Sequence, residues 1–468
     1  MNLVKSNFTK SEIFESGAWY GASTIFIRLV AVTNTFIVVY FLTLYEYGVF
    51  KLILSFVGIF QAFNFLRLDG VIHNEIAQYL KNNKQARAAK LFFEFVFIEG
   101  VITVFIWIVT VITIKTYFTT IYDENFINIL LIASITILLN FLSDSFSLFF
   151  RSIGAVKLTS KINSFGEVAK LAILTLIFLM FSPGIRSVII TIIISQLLLH
   201  VIYATFARKD LLAWWGVQSK EKSSLLPEVV KSYGKWTIGT NVLNGIVSNG
   251  RNYLIKFLLS TEAVAIWNVA LSMMSFLFSL VPSSKILAVF LPYKVKLMEL
   301  KASSYRLYVK YLTAVYSFLL VGGIIGATIM INAFFLKYKP SLPIFYIISS
   351  VLLISGINDF VVAYLNTFRH QKILFQRTVQ KNTIALILTI VLVKLFGLIG
   401  LGIGYVVTAI YLTVFSYISL IKIYPELKLK VTDLYLKKND IKYLSVKVPE
   451  IIRNYIKPND ELENHAKK

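Results

Sequence analysis

Cysteine is absent from this chain of 468 residues, histidine occurs only four times, and charged residues make up no more than 15% of the total. The absence of cysteine excludes disulfide bonds, thiolate metal sites and a cysteine nucleophile. The histidines are far apart in the sequence and lack metal-ligand spacing, so no metal site is predicted. They are His73, His200, His370 and His465. Nucleophile elbows and phosphate-binding glycine loops are also missing, and we therefore expect a protein that is not an enzyme and needs no cofactor.

Apolar residues account for 57% of the chain, and the mean hydropathy is +0.73. A water-soluble domain of this composition would expose large apolar patches, so the lipid bilayer is the expected solvent. Lys and Arg outnumber Asp and Glu by 47 to 24. Basic cytoplasmic loops explain such an excess in a membrane protein, and we expect no nucleic-acid partner. The first apolar stretch, from about Gly17, is too long for a signal peptide and is expected to remain as a helix.

Apolar runs long enough to cross a bilayer recur along the whole chain. Crossing ~30 Å of hydrocarbon takes roughly 20 helical residues. On this scale the sequence predicts about twelve transmembrane helices, at residues 17–42, 48–66, 91–114, 127–149, 164–182, 186–206, 236–257, 263–291, 308–334, 342–365, 379–396 and 399–424. The glycines from Gly397 to Gly404 fit either a tight turn or one broken helix. Two helices are favoured, because about 45 residues are too many for one span.

Every second predicted loop is rich in Lys and Arg, which is the alternation expected of cytoplasmic loops. The basic loops lie within residues 81–90, 151–161, 208–235, 294–310 and 369–381. The intervening loops hold at most two basic residues each, as with Lys337 and Lys339. The pattern predicts a multi-pass protein of the cell (cytoplasmic, inner) membrane with both termini in the cytoplasm.

Two pairs of similar sequence segments indicate an internal repeat. The run Tyr45–Ser55 returns in altered form at Glu262–Ser272, and Ser143-Asp144 returns as Asn358-Asp359. Repeated halves are common in transporters, where the substrate site lies between them. We therefore predict an all-α integral membrane protein of two six-helix bundles. Its predicted parts are an N-terminal bundle (1–206), a cytoplasmic linker (207–235), a C-terminal bundle (236–424) and a basic cytoplasmic tail (425–468), which either lies on the anionic inner leaflet or is disordered.

Polar stripes run along the first helix of each predicted bundle, and charged groups at mid-span usually face a cavity or the bundle interior. The substrate-binding candidates on these stripes are Arg28, Thr24 and Asn34 in the first bundle and Arg251, Asn241, Asn244 and Ser248 in the second. Because the two helices are equivalent in the repeat, we expect the stripes to line one central cavity. The alternative is polar contacts between packed helices, with Arg251 reaching toward the membrane surface. Paired guanidinium donors suit a diphosphate, and Lys285 either joins them or reaches toward the inner surface.

Three acidic residues are candidates for ion coupling: Glu99, Asp144 and Asp359. A carboxylate inside the membrane can bind H+ or Na+ and change its charge during a transport cycle. For Asp144 and Asp359 the alternative is an ion pair with a basic residue at the inner rim, such as Arg151. For Glu99 both interpretations stay open.

The order of several short motifs resembles the polysaccharide (lipid-linked oligosaccharide) flippases of the multidrug/oligosaccharidyl-lipid/polysaccharide (MOP) exporter superfamily. Trp19 precedes a Leu42–Phe50 motif, Thr261–Ala270 repeats that motif, and the fourth helix ends in an Arg-x-x-Gly-x-x-Lys turn that begins at Arg151. The resemblance covers roughly residues 10–425. The second half departs from the family pattern at Ala265, where Gly is typical, and at Arg251, where Asp often occurs.

The resemblance implies a V-shaped pair of bundles that works by alternating access. It also implies transfer of an undecaprenyl-diphosphate-linked oligosaccharide from the inner to the outer leaflet for a capsule or O-antigen-like polymer, often coupled to a cation gradient. The implied partners are this lipid-linked oligosaccharide, membrane lipid, H+ or Na+, and polysaccharide-assembly proteins. One alternative is a multidrug/cation antiporter of the same superfamily, which favours an acidic lumen. Another is a membrane polysaccharide polymerase or glycosyltransferase, which would need a long outer loop or an acidic outer motif that the sequence lacks.

Overall fold

The computed structural model describes residues 10–64, 68–120, 123–217, 224–231, 235–281, 302–368 and 370–435. All regular structure in these ranges is helical. The α-helices are α1 Lys10–Phe41, α2 Leu44–Ala62, α3 Asp69–Lys81, α4 Gln85–Tyr117, α5 Glu124–Ser134, α6 Thr136–Ser152, α7 Val156–Met180, α8 Ile185–Val217, α9 Leu226–Val229, α10 Lys235–Leu258, α11 Thr261–Leu280, α12 Ala302–Phe334, α13 Ser341–Ser349, α14 Leu352–Thr367 and α15 Gln371–Ile423. Short 3-10 turns occur at Phe118–Thr120, Leu336–Tyr338, Pro425–Leu427 and Val431–Asp433.

The helices match the predicted membrane spans. Among the described residues, nine helical segments are long and apolar enough to cross a bilayer, and the pair α13 and α14, bent by 52°, makes a tenth. The segment α15 contains two antiparallel arms, because Gly397 has a non-helical conformation (φ 59°, ψ −137°) that favours glycine. Across this turn Tyr411 donates a hydrogen bond to the Gln380 side chain (3.4 Å). With these arms and the more polar α10, the twelve-helix fold and the two-helix interpretation of the glycine region are confirmed.

Several helix boundaries differ from the sequence prediction, and one helix was not predicted. The eleventh span was predicted from residue 379, with Arg377 and Lys381 counted among the basic residues of the preceding loop, but α15 begins at Gln371, so both residues lie well within a helix. Helix α8 continues to Val217, beyond the predicted end at 206. Helix α3 was not predicted; it is short and amphipathic, and it buries one side at four-residue spacing. The residues of that buried side are Ile72, Ile76 and Leu80.

Some predicted features lie outside the described residues. These are Lys285 and the end of the eighth span, part of the central linker, and the tail beyond residue 435. The limits proposed for the two bundles, the linker and the tail therefore stay a prediction.

Helix α2 joins the two halves, since it packs along both α10 and α11. The repeated motifs recognised in the sequence are thus neighbours in space. Gly48 lies so close to the carbonyl oxygen of Thr261 that no side chain fits between the helices. Both helices begin with a side-chain cap: Thr43 accepts a hydrogen bond from the Glu46 amide (3.2 Å), and Ser260 accepts one from Ala263 (3.1 Å).

At the same end of the bundle a lysine connects the halves. The Lys337 ammonium donates hydrogen bonds to the carbonyl oxygens of Tyr40 (2.8 Å) and Leu42 (2.6 Å), at the carboxyl end of α1. The Tyr47 and Tyr338 rings meet edge to face, with centroids 6.1 Å apart. The basic-loop pattern predicts that this end is the outer face, and we refer to it as the predicted outer face. The two halves are therefore in direct contact there.

Candidate substrate cavity

A cavity of about 310 Å³ lies in the second half, between α10, α11, α14 and the two arms of α15. Ser248 and Arg251 reach it from α10, as the polar stripe on that helix predicts. Their three-residue spacing places both side chains on one face. Trp267 and Tyr405 add aromatic surface, so the cavity combines polar groups with an apolar wall, which is typical of ligand sites.

Three cationic side chains line this cavity: Arg251 from α10, and Arg377 and Lys381 from the first arm of α15. Lys381 lies within electrostatic range of both arginines. Among the described residues, no carboxylate oxygen lies within 4.0 Å of any of the three. Like charges held together in a partly buried space repel one another, and an anion that enters the cavity would relieve this repulsion.

Neutral partners hold two of these cations in place. Arg377 donates from Nη2 to the Asn358 side chain (2.7 Å) and from Nε to the Ser416 hydroxyl (2.9 Å). Lys381 donates to the Asn244 side-chain oxygen (3.4 Å). Hydrogen bonds to neutral groups fix the orientation of the cations, and Asp359 offsets only part of the charge of the three, so a net positive charge remains that suits recognition of an anion.

Asp359 is the acidic residue of this cavity. Its Oδ2 atom accepts a hydrogen bond from the Tyr316 hydroxyl on α12 (2.8 Å). The adjacent residue, Asn358, accepts a hydrogen bond from Arg377. Asn358 and Asp359 therefore contact the Arg377 guanidinium and the Tyr316 phenol, respectively. Asp359, predicted as an ion-coupling group, therefore lies in the same cavity as the three cations.

The candidates on α1 lie elsewhere. Arg28 is exposed on α1, whereas Thr24 and Asn34 are buried. Asn34 donates a hydrogen bond to the main-chain oxygen of Glu167 on α7 (3.4 Å). None of these three residues lines the cavity that contains Arg251. On α10, Asn241 is half-buried, and Asn244 contacts the cavity through Lys381.

The first half has a much smaller polar recess of about 20 Å³, which contains Glu99 and Asp144. Only 3% of Glu99 is exposed, deep within the bundle. The Asn64 side chain donates to Glu99 Oε1 (3.2 Å) and to the Thr103 hydroxyl (3.2 Å). The recess has room for about one water molecule or one small cation, so the two acidic candidates of the first half share one confined site.

Arg377 and Lys381 were missed as site residues, because they had been assigned to a basic loop. Their four-residue spacing, followed directly by the apolar run from Ile384, was the available signal, since it is compatible with one helix face entering the membrane. The spacing alone did not show which way that face points. The packing of α15 against α10 decides the direction in which that face points.

The chain is similar to known proteins in sequence and in fold. The model of a family described as "Polysaccharide biosynthesis protein" matches residues 13–298. No curated protein matches the chain at a significant level. Several solved membrane transporters share its fold.

The Vibrio cholerae MATE transporter VcmN, in a mutant form, has 14% sequence identity and a TM-score of 0.66, over 89% of this chain and 98% of that one. The lipid II flippase MurJ, in an inward closed conformation, has 14% identity and a TM-score of 0.66, over 94% of each chain. A MOP superfamily transporter from Pyrococcus furiosus has 10% identity and a TM-score of 0.65, over 90% of this chain and 100% of that one. At these identities the similarity is one of fold, and it confirms the V-shaped, twelve-helix class predicted from the sequence.

Proposed function

The chain belongs to the polysaccharide biosynthesis protein family of the MOP superfamily, and we propose that it is a flippase for a lipid-linked oligosaccharide. Its substrate would be an oligosaccharide carried on undecaprenyl diphosphate, which it moves from the inner to the outer leaflet of the cytoplasmic membrane. The product would supply a surface polysaccharide such as a capsule or an O-antigen-like polymer. One of the solved structures of similar fold is a lipid II flippase.

The cluster of Arg251, Arg377 and Lys381 carries this proposal. A diphosphate bears several negative charges, and moving it through hydrocarbon without compensation is costly. Guanidinium groups bind phosphate oxygens through paired donors, and lysine adds a further charge. The cavity therefore has the chemistry needed to hold the diphosphate, while the polyprenyl tail stays in lipid.

We propose that Arg28 is a second contact, reached as the substrate enters or leaves. Arg28 is exposed on α1 and so is accessible to a ligand, and in this proposal it faces the space that opens between the halves in an alternating-access cycle. The closed contacts at the predicted outer face, including the Lys337 hydrogen bonds, favour entry of the substrate from the opposite, inner side. Both termini would then be cytoplasmic.

Transport against a gradient needs an energy source, and we propose that Glu99 and Asp144 bind the coupling H+ or Na+. Their recess of about 20 Å³ is too small for an organic molecule. A buried carboxylate that gains and loses a cation changes the charge of its bundle during the cycle. Asp359, beside the cations of the second half, would link this change to substrate binding.

The test replaces each cavity cation singly with alanine and measures two quantities. Arg251→Ala, Arg377→Ala and Lys381→Ala should each abolish surface polysaccharide and weaken binding of inorganic pyrophosphate to the purified protein by roughly tenfold to a hundredfold, since a hydrogen bond to a charged group contributes about 1.5–3 kcal/mol. Lys394→Ala, on the same segment but exposed and outside the cavity, is the matched control. Normal polymer and normal pyrophosphate binding in all three variants would rule out this cavity as the diphosphate site.

The multidrug/cation antiporter is the alternative that the fold allows, since MATE transporters share it. The cationic cavity opposes it, because like charge repels an organic cation. Efflux of cationic dyes from cells that express this chain would favour the antiporter. Lack of efflux together with pyrophosphate binding would favour the flippase.

A further inference from the structure

An apolar groove of about 260 Å³ lies next to the cationic cavity, between α14, the second arm of α15 and the chain segment that follows α15. Its apolar lining comes from Ile354, Ile357, Ile410, Val414, Leu429 and Leu434. Lys430 is the one charged residue of the lining. The proposed function assigns no role to this groove.

The groove and the cationic cavity adjoin each other. Ile354 on α14 and Thr413 on α15 line both spaces. One of the two adjoining spaces thus holds Arg251, Arg377 and Lys381, and the other is almost entirely apolar. A ligand that fills both spaces must be amphipathic, with an anionic head and a hydrocarbon tail joined directly to it.

The wall of the groove that the segment after α15 forms is held by specific hydrogen bonds and an ion pair and is therefore part of the fold. The Leu429 amide donates to the Tyr417 hydroxyl (2.7 Å), and the Lys430 amide donates to Asp433 Oδ2 (2.9 Å). Asp433 also pairs with Arg306 on α12 (3.6 Å). These contacts keep Leu429 and Leu434 beside α14 and α15, where they shield one side of the groove.

We propose that this groove holds the first isoprene units of the polyprenyl tail while the diphosphate lies in the cationic cavity. The inference rests on the proposed flippase function. A long tail cannot enter the polar cavity without leaving hydrocarbon, so the lipid needs an apolar opening beside the head-group site. The exposed Ile410 and Val414 on one rim offer the tail a path from the groove into the surrounding lipid. The gap between α14 and the second arm of α15 is thus the place where the tail leaves the protein.

A phospholipid is a less suitable occupant. Its head carries one phosphate, whereas the adjoining cavity presents three cations and the single carboxylate of Asp359. Its two acyl chains would also both have to pass the boundary between the two spaces at Ile354 and Thr413. A single-chain lipid diphosphate agrees better with both properties.

The experiment fills the groove with bulky side chains and compares two probes. Ile357→Trp and Val414→Trp occupy the groove without altering a cavity cation. The matched controls Val407→Trp and Ile418→Trp add the same side chain at exposed positions on the same arm of α15, outside both spaces. Binding of undecaprenyl diphosphate and of inorganic pyrophosphate is measured for each purified full-length variant, after gel filtration and thermal unfolding have shown that it is folded.

The two groove variants should bind undecaprenyl diphosphate at least tenfold more weakly than the controls, with pyrophosphate affinity unchanged. Equal loss for both probes, or no loss for either, would overturn the tail site. Displacement of a co-purified phospholipid by the groove variants, with undecaprenyl diphosphate binding unchanged, would identify the other occupant and also overturn it. Failure of the unmodified protein to bind either probe would instead overturn the proposed function itself.

Discussion

In the first half of the molecule α1 packs on α7, and in the second half the equivalent pair, α10 and the first arm of α15, also packs side by side but lines a cavity with three cations. Among the described residues, the polar recess of the first half that holds two carboxylates has a volume of about 20 Å³, against about 310 Å³ for the cationic cavity of the second. The repeat thus gives both halves the same helices, but the polar spaces that these helices line differ in charge and in volume. A shared backbone arrangement does not by itself decide which ion a half can hold.

Three pairs of corresponding residues differ in charge between the halves. Asn34, which contacts α7, corresponds in the repeat to Arg251, which lines the cavity. At the spacing that relates Asp144 to Asp359, Ile162 and Gly166 of α7 correspond to Arg377 and Lys381 of α15. In the first half Ile162 is buried in an apolar cluster, and Gly166 lies against Leu199 of α8. In the second half the corresponding cations line a cavity, because buried like charges need space, water or an anion.

The largest effect should come from giving the second half the residues of the first. The double variant Arg251→Asn, Arg377→Ile removes two of the three cavity cations, and pyrophosphate affinity should fall more than a hundredfold, since each lost charged contact costs about 1.5–3 kcal/mol. Surface polysaccharide should be absent. Titration calorimetry on the purified protein measures the affinity. A variant that retains full affinity would show that the charge difference between the halves is unrelated to anion binding.

The second-largest effect, a loss of ion coupling, should come from neutralising an acidic residue in the recess of the first half. Glu99→Gln keeps the shape of the side chain and its contact with Asn64 but removes the charge, so an imposed H+ or Na+ gradient should no longer accelerate transport in proteoliposomes. Pyrophosphate affinity should stay within about twofold, because the anion site lies in the other half. The control is Glu124→Gln, because Glu124 is exposed at the start of α5. If an imposed gradient still accelerated transport by Glu99→Gln, this recess would not be the coupling site.

A glycine and an alanine at equivalent positions test the contact between the halves. Gly48→Ala inserts a methyl group against the Thr261 carbonyl, and such overpacking typically costs about 1–3 kcal/mol. The reverse change, Ala265→Gly, removes a methyl group from a buried helix position and should cost about 0.5–1 kcal/mol. Thermal unfolding in detergent compares the two. Equal costs would mean that α2 and α11 can separate here without penalty.

The smallest effect should come from the lysine at the predicted outer face. Lys337→Met removes two hydrogen bonds to the end of α1, and exposed contacts of this kind contribute about 0–1 kcal/mol. A change of that size shifts an open–closed equilibrium by up to roughly fivefold. Because the chain has no cysteine, spin labels can be placed at Tyr45→Cys and Phe334→Cys alone, and the population with a longer label distance should increase. Lys339→Met is the control, and identical distance distributions in both would show that Lys337 does not hold the halves together.

Much of the fold could be predicted from the sequence, because long apolar runs leave few alternatives to membrane helices. Gly397 marked the turn between the last two helices correctly. Helix α3 escaped prediction since it is short and only half apolar, and the start of α15 escaped because Arg377 and Lys381 looked like loop residues. The site was partly predictable: the polar stripe on α10 pointed to Arg251, but the similar stripe on α1 did not reveal that Asn34 packs on α7.

Composition and periodicity along the chain were enough to predict the solvent, the number of spans, the repeat and the equivalence of α2 and α11 within that repeat. Which polar residues share a space depends on the tertiary packing. Arg251 and Lys381 are 130 positions apart, and they line one cavity because α10 and α15 pack side by side. The rotation of each helix about its axis decides whether a polar side chain faces a neighbour, a cavity or lipid. That rotation is set by packing against helices distant in sequence, such as α7 against α1, and no local pattern encodes it.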